Sequence, residues 1–146
     1  MKYFIGTDHA GFEVKGFVVE YLKKRGIEVE DLGCFSPNRV DYPDYAHKVA
    51  EAVRQNPGSF GILICGSGIG MSLAANKHPG IRAALCHDHY TATMARRHND
   101  ANILCFGARI VGKGVIESIL EGWLSSQFEG GRHKKRVQKI EWRGEG

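Results

Sequence analysis

The chain has 146 residues, a length that suits one domain with a full hydrophobic core and is short for two. Hydrophobic residues make up 42% and charged residues 25%, as in soluble globular proteins, and no apolar run approaches the roughly 18 residues of a membrane span. The net charge of +4 is concentrated in the tail, with no stripe of basic and aromatic residues elsewhere. We therefore predict a single domain over residues 1–146 with a basic tail from about residue 128, and neither a nucleic acid nor a membrane as its partner.

The start of the chain, MKYFIGTDHAGF, leads directly into a strand-like segment and lacks the pattern of a secretory signal. The four cysteines lie far apart without a C-x-x-C pair, so neither a zinc ribbon nor a redox dithiol is indicated. Cys86 and Cys105 are best interpreted as small buried side chains in a reduced compartment. These observations favour a cytoplasmic protein.

Apolar, β-branched segments alternate along the chain with longer segments of helical period. The predicted strands cover residues 2–7, 27–32, 60–65, 81–86 and 102–107, and the third is apolar enough to be buried on both faces. The predicted helices cover residues 11–25, 43–56, 88–97 and 113–126, and another begins near Ile69. This alternation predicts an α/β fold, a Rossmann-like three-layer αβα sandwich around a five-stranded parallel sheet.

In such a fold, ligands bind beyond the carboxyl ends of the strands. The groups that follow predicted strands are TDHAG, CGSGIG, CHDHY and GAR, and the loop at residues 32–42 is long enough for a functional surface. In CHDHY, the two histidines of the HDH stretch resemble a pair of metal ligands. Without a third ligand at a supporting spacing, however, a structural role is favoured over a metal site.

The segment CGSGIG contains three alternating glycines, Gly66, Gly68 and Gly70. Glycines permit unusual backbone angles, and the helix that follows directs its free N–H groups toward a bound anion. A dinucleotide fingerprint would need a further glycine at Met71, although Asp88 after the next strand keeps that alternative open. A tight turn without a ligand is the structural alternative.

Cys65 lies at the mouth of this glycine loop. A thiol beside a helix N-terminus is expected to ionise readily, which makes the thiolate available as a base or nucleophile near neutral pH. Ser67 adds a hydroxyl donor. These groups would surround a small anion such as an enediolate, which forms when a base removes a proton next to a carbonyl.

Cationic and acid–base candidates lie elsewhere in the chain. Arg132 and Arg136 share one face if the tail is helical, an arrangement suited to a phosphate, and Arg109 after the fifth strand could reach the same region. Two pairs are placed for acid–base work: Asp8 with His9 after the first strand, and His98 with Asn99 at the end of the fourth helix.

Six motifs together resemble the type B ribose-5-phosphate isomerase family over nearly the whole chain: TDHAGF, DYPDYA, ILICGSGIGMSLAANK, GIRAALC, RRHNDANILCFGAR and FEGGRHKKRV. The resemblance implies reversible conversion of D-ribose 5-phosphate and D-ribulose 5-phosphate in the pentose phosphate pathway. It also implies that no metal or organic cofactor is needed. The expected assembly is a homodimer, or a dimer of dimers, whose sites take groups from both chains.

The resemblance also assigns roles to individual residues. It implies that Cys65 is the catalytic base, that His98 opens the sugar ring, and that Ser67 replaces a threonine common in the family. The implied substrate-binding residues are Asp8, His9, Tyr42, Gly66, Ser67, Gly68, Ile69, Gly70 and Asn99, with Arg109, Arg132 and Arg136 on the phosphate. One branch of the family uses a glutamate after the glycine loop, where this chain has Met71, so the base here is expected to be Cys65.

Two other functions remain open. Relatives isomerise six-carbon sugar phosphates, either allose 6-phosphate or galactose 6-phosphate, and the sequence does not decide between five and six carbons. The non-enzymatic alternative is a nucleotide-binding or sugar-phosphate-binding module, against which the Met71 mismatch argues.

Overall fold

The computed structural model describes residues 1–142 and 144. In this part of the chain the strands are β1 Lys2–Thr7, β2 Glu28–Asp31, β3 Phe60–Cys65, β4 Ala83–Leu85 and β5 Ile103–Gly107. The helices are α1 Phe12–Lys23, α2 Tyr42–Gln55, α3 Ile69–Ala75, α4 His89–Arg97, α5 Lys113–Leu124 and α6 Arg132–Gln138. None of these helices combines the length and the apolar composition needed to cross a bilayer.

The five strands form one parallel sheet in the order β2-β1-β3-β5-β4. Buried side chains of α1, α4 and α5 pack on one face of the sheet, and those of α2 and α3 pack on the other. The predicted αβα sandwich is therefore confirmed. The order of the strands was not predicted, because β5 enters between β3 and β4 and the alternation of elements does not reveal that insertion.

The central strand β3 explains why the sheet is covered on both faces. It pairs with β1 on one side and β5 on the other, and Ile62, Leu63 and Ile64 are fully buried. Complete burial of such a side chain contributes about 1.5–3 kcal/mol. The alternation of side chains across the strand sends successive residues into the two helical layers, so a continuous apolar run is what this position requires.

Edge strand β4 is shorter than predicted, with three residues instead of the six expected. At its start the backbone N–H of Arg82 donates to the side-chain carbonyl of Asn102 at 2.8 Å, in place of a ladder carbonyl. The side chain of Asn76 bonds the backbone of Ala83 in the same way. Side-chain amides thus take over hydrogen bonds that the sequence pattern assigned to the sheet.

A buried hydrogen bond joins the first strand to the last long helix. The indole Nε1–H of Trp123 donates to the hydroxyl of Tyr3 at 2.9 Å, and burial raises the pKa of Tyr3 to about 12. We expect Tyr3→Phe to lower the free energy of unfolding by about 1–3 kcal/mol, because the indole N–H is left without its acceptor. Urea denaturation measures the change. Tyr90→Phe, at a tyrosine that is mostly exposed, is the matched control, and equal stability of the two variants would contradict the prediction.

The direction of the helices separates the two ends of the sheet. The guanidinium of Arg96, near the end of α4, lies 4.7 Å from the ring centroid of Phe60, the first residue of β3. Cys65 is the last residue of the same strand, about 17 Å away at roughly 3.3 Å per residue. Residues that follow α4 therefore lie near the amino ends of the strands, opposite the carboxyl ends where residues that follow β3 lie.

Candidate functional site

An open cleft of about 570 Å³ lies at the carboxyl ends of β1, β3 and β5. The chain leaves β1 toward one side of the sheet and β3 toward the other, which is where α/β sheets bind ligands. We call it the Cys65 cleft. Its lining residues are Asp8, Tyr42, Cys65, Gly66, Ser67, Ile69, Gly70, Leu73, Arg109 and Ile110.

The glycine loop directs one backbone N–H group at the sulfur of Cys65 and another at the hydroxyl of Ser67. The N–H of Gly68 donates to Cys65 Sγ at 3.1 Å, and the N–H of Ile69 donates to Ser67 Oγ at 3.2 Å. The Cys65 side chain is only 5% exposed, but it lines the cleft. A thiol with a backbone donor on one side and an open cleft on the other can exchange a proton with a bound molecule.

Gly68 fixes the shape of this loop. Its φ of +79° lies in the left-handed region, and a Cβ there would stand 2.6 Å from the Leu85 side chain and 2.7 Å from the Phe106 backbone. At Gly70, a Cβ would stand 2.5 Å from the ring of Tyr42. Tyr42 begins α2 and forms a wall of the cleft against this glycine. The positive φ and the backbone contact require glycine at position 68, whereas at position 70 a side chain would displace the ring of Tyr42.

The residues after β1 form the opposite wall. Oδ1 of Asp8 accepts hydrogen bonds from the N–H groups of Ala10 and Gly11 at 2.9 and 3.1 Å. Nδ1 of His9 accepts from the N–H of Val40 at 3.2 Å, so a neutral ring carries its proton on Nε2. His9 is thereby tied to the long loop of residues 32–42, which the sequence marks as a functional surface.

Arg109 completes the Cys65 cleft. Its backbone N–H donates to the carbonyl of Gly66 at 3.0 Å, and its guanidinium lies beside the same glycine. Among the described residues, the arginine ion pairs belong to Arg54, Arg82, Arg96 and Arg97. The exposed guanidinium of Arg109 is therefore available to an anion in the cleft.

A second group of predicted site residues lies on the side of the sheet where the strands begin, in a pocket of about 310 Å³. We call it the His98 pocket, and its lining residues are His98, Asn99, His133, Arg136, Val137 and Ile140. The ring of His98, just after α4, stacks on the ring of His133 in α6 with centroids 4.1 Å apart. Arg132 begins α6 one residue before His133.

The tail is helical at Arg132–Gln138. This is the condition under which Arg132 and Arg136 were predicted to share one face. Within one chain, Arg109 does not reach the region of Arg132 and Arg136, as the sequence had suggested it could. Arg109 lines the Cys65 cleft, whereas Arg136 lines the His98 pocket. The reason is that α4 returns the chain to the amino ends of the strands, and α6 packs beside the end of α4.

Two residues beside the His98 ring, Glu129 and His133, were not predicted. Glu129 accepts a hydrogen bond from Arg97 Nε at 2.8 Å, and its Oε1 lies 3.7 Å from His98 Nε2 and 3.5 Å from His133 Nε2. Burial lowers the pKa of His133, and the neighbouring His98 and Arg132 lower it further. The spacing of Glu129 and His133, four residues apart beside a predicted phosphate arginine, was the signal available in the sequence.

Other chemical candidates have structural roles. Asp88 caps α4 by accepting from the N–H of Thr91 at 2.7 Å, which accounts for the acidic residue of HDH. Burial raises the pKa of Cys86 to about 12 and that of Cys105 well above its ordinary value. Met71, where a glutamate or a further glycine would change the chemistry, is fully buried in the core.

Comparisons with known proteins show the family of the chain. The family model of ribose/galactose isomerases matches residues 3–140. Ribose-5-phosphate isomerase B of Escherichia coli strain K12 is 50% identical over 139 residues, which is 95% of this chain and 93% of that protein.

Solved structures are equally similar. The structure of Clostridium thermocellum ribose-5-phosphate isomerase B superposes with a TM-score of 0.94 at 53% identity, covering 96% of this chain and 95% of that one. The structure of the type B ribose 5-phosphate isomerase of Trypanosoma brucei superposes with a TM-score of 0.90 at 52% identity, covering 95% of each chain. Because the family model spans almost the whole sequence and relatives are half identical to it, the chain belongs to the ribose/galactose isomerase family.

Proposed function

We propose that the protein is an aldose–ketose isomerase that interconverts D-ribose 5-phosphate and D-ribulose 5-phosphate. The observation that carries the proposal is the thiol of Cys65, which lies at the carboxyl end of the central strand with the Gly68 N–H 3.1 Å from its sulfur. Relatives named as ribose-5-phosphate isomerases, about half identical over almost the whole chain, support the same activity. The proposed reaction belongs to the pentose phosphate pathway.

In the proposed mechanism, the Cys65 thiolate moves a proton between C1 and C2 of the open-chain sugar. The thiolate takes the proton from one carbon and returns it to the other on the same face of a planar cis-enediolate. Negative charge develops on the two oxygens during this transfer. The Gly68 N–H beside the sulfur and the Ser67 hydroxyl in the same loop would stabilise that charge.

We infer that a complete site needs two chains. The Cys65 cleft and the His98 pocket lie at opposite ends of the strands of one sheet, so a single chain cannot bring both groups to one sugar. The rim of the Cys65 cleft exposes Ile69, Leu73 and Ile110 by 52%, 63% and 60%, an apolar surface typical of an interface. A twofold homodimer would cover this rim and place the His98 pocket of one chain over the Cys65 cleft of its partner.

Such a dimer divides the substrate between the chains. One chain supplies the base, with Asp8 and Tyr42 as walls, and the other supplies His98 and Asn99 near the ring oxygen. Arg132 and Arg136 of the second chain, with Arg109 and His9 of the first, would bind the phosphate. Binding energy from the phosphate, remote from the reacting carbons, then positions C1 and C2 at the sulfur. A cytoplasmic location fits the four buried free cysteines, which persist in a reducing compartment.

A six-carbon sugar phosphate is the alternative substrate, because the family model includes galactose isomerases. The test compares kcat/KM of the purified chain for ribose 5-phosphate and allose 6-phosphate. A clear preference for the five-carbon aldose supports the proposal, and a preference for the six-carbon sugar overturns it.

His98→Asn provides a sharper test of the mechanism. Ribose 5-phosphate is mostly a closed furanose, whereas ribulose 5-phosphate has its O5 blocked by phosphate and stays open-chain. We expect the variant to exchange the C1 hydrogen of ribulose 5-phosphate with deuterated water, while net interconversion with the cyclic aldose falls by about 10²-fold or more. NMR follows both processes.

The matched control is His89→Asn, at the exposed histidine that begins α4, which should keep both activities. If His98→Asn loses solvent exchange as completely as it loses net conversion, while still folded and binding ligand, then His98 acts in the proton transfer and the proposed division of roles is wrong.

A further inference from the structure

The His98 pocket contains a cluster of metal-ligating side chains that the proposed isomerase mechanism does not use as a cluster. One ligand atom each from His98, Glu129 and His133 lie within 4.8 Å of one another. Glu129 reaches both imidazoles with the same oxygen, Oε1, because its Oε2 is held by Arg97. Oε1 is therefore the carboxylate atom that faces the two rings.

His133 supplies an independent indication of a ligand. Its side chain is buried, with the residue only 6% exposed, and its Nε2 has no hydrogen-bond partner among the described residues. A buried polar atom without a partner is rare in folded proteins, because its desolvation is not compensated. This nitrogen lies 3.5 Å from Oε1 of Glu129 and makes no hydrogen bond with it.

The distances suit a small divalent ion. Tetrahedral zinc with nitrogen and oxygen ligands at about 2.0–2.2 Å places ligand atoms roughly 3.3 Å apart. The distances from Glu129 Oε1 to the two nitrogens, 3.5 and 3.7 Å, need only a small contraction. The rings are nearly parallel, so one must turn to direct its lone pair at the ion. His98, half-exposed after the end of α4, is the ring that is free to turn.

We propose that His98, Glu129 and His133 bind Zn²⁺, with a fourth position left for water or an anion. Two imidazoles and one carboxylate favour zinc and its neighbours in the first transition row over the hard ions Mg²⁺ and Ca²⁺, which prefer oxygen ligands. The ion inhibits the enzyme, because it occupies the ring nitrogen with which His98 would open the sugar ring. The inhibition rests on the proposed function, whereas the binding of zinc does not.

The binding test uses the full-length chain freed of metal with a chelator. Zinc titration by calorimetry is expected to give about one ion per chain, and Co²⁺ as a probe is expected to show the intense visible absorption of a tetrahedral site. Glu129→Gln and His133→Gln should each weaken zinc binding by at least about tenfold. His89→Gln removes an exposed histidine outside the cluster and should leave the affinity unchanged.

Several results would overturn the site. These are a zinc dissociation constant weaker than about 1 mM, unchanged affinity in folded Glu129→Gln, or a sulfur-to-cobalt charge-transfer band that persists in Glu129→Gln and His133→Gln, which would assign the ion to a cysteine site without these residues. Glu129→Gln keeps the test informative if the buried His133 variant does not fold.

A separate assay tests the inhibition. Zinc should lower conversion of ribose 5-phosphate with the same concentration dependence as binding, and a chelator should restore it. Full activity at saturating zinc would disprove inhibition. Zinc binding by a chain that isomerises no sugar phosphate would leave the metal site intact and disprove the proposed function.

Discussion

Cys65→Ala is expected to lower kcat by about 10²–10⁴-fold, the range that a positioned acid–base group contributes. The methyl group cannot accept a proton from C1 or C2, and no other residue lining the Cys65 cleft places a sulfur or nitrogen base against the glycine loop. Binding of a phosphate ligand should persist, because the arginines are unchanged. NMR of the isomerisation measures turnover, and calorimetry with an unreactive sugar phosphate measures binding.

The matched control is Cys86→Ala, which removes a buried thiol that packs on the other face of the sheet. It should keep its turnover even if it loses stability. Alkylation of the wild type offers a second measurement, since burial and raised pKa values keep Cys86 and Cys105 unreactive. A substrate analogue should slow the inactivation. Near wild-type turnover in a folded Cys65→Ala protein would rule out the thiolate mechanism.

Mixing two inactive variants is expected to restore activity. A dimer of one Cys65→Ala chain and one His98→Asn chain has both substitutions in one composite site and neither in the other. After random reassortment half of the dimers are mixed, so conversion of ribose 5-phosphate should recover to about a quarter of the wild-type value. The effect is large because both parent variants start near zero. The measurement is the rate after co-refolding equal amounts of the two chains.

The control mixture combines Cys65→Ala with a chain that carries both substitutions. No dimer in that mixture has an intact site, so no activity should return. If the first mixture also stays inactive although tagged chains confirm mixed dimers, each site must lie within a single chain, and the inference from the opposite ends of the strands is wrong.

Much of the fold followed from local sequence patterns. The apolar run of β3 and the glycines after it determine a buried strand and a sharp turn into a helix, and those properties depend on neighbouring residues alone. The bounds of α2 followed similarly from Pro43, and Gly26 ends the first helical segment with a positive φ. The reduced length of β4 was not predicted, because it involves side-chain amides that replace ladder partners: Asn76, seven residues before Ala83, and Asn102, twenty residues after Arg82.

The site was predictable in part for the same reason. The Cys65 cleft is built from segments that directly follow strands. A parallel sheet brings all such segments together at the carboxyl ends of its strands. The His98 pocket depends on how the tail packs against α4, and that contact has no local signal. Glu129 and His133 were missed because their four-residue spacing does not by itself show that they meet His98, whereas Arg132 and Arg136 beside them were predicted from their own spacing and from the family resemblance.

The separation of Cys65 and His98 also bears on how this protein could diverge after gene duplication. Where each catalytic centre draws on two polypeptides, one copy can lose its cysteine and the other its histidine, and the pair still retains one complete centre. Neither copy would then function alone. The geometry of a single sheet thus gives duplicated genes a direct route to mutual dependence, and an obligate heteromer can arise by loss of function without the gain of any new contact.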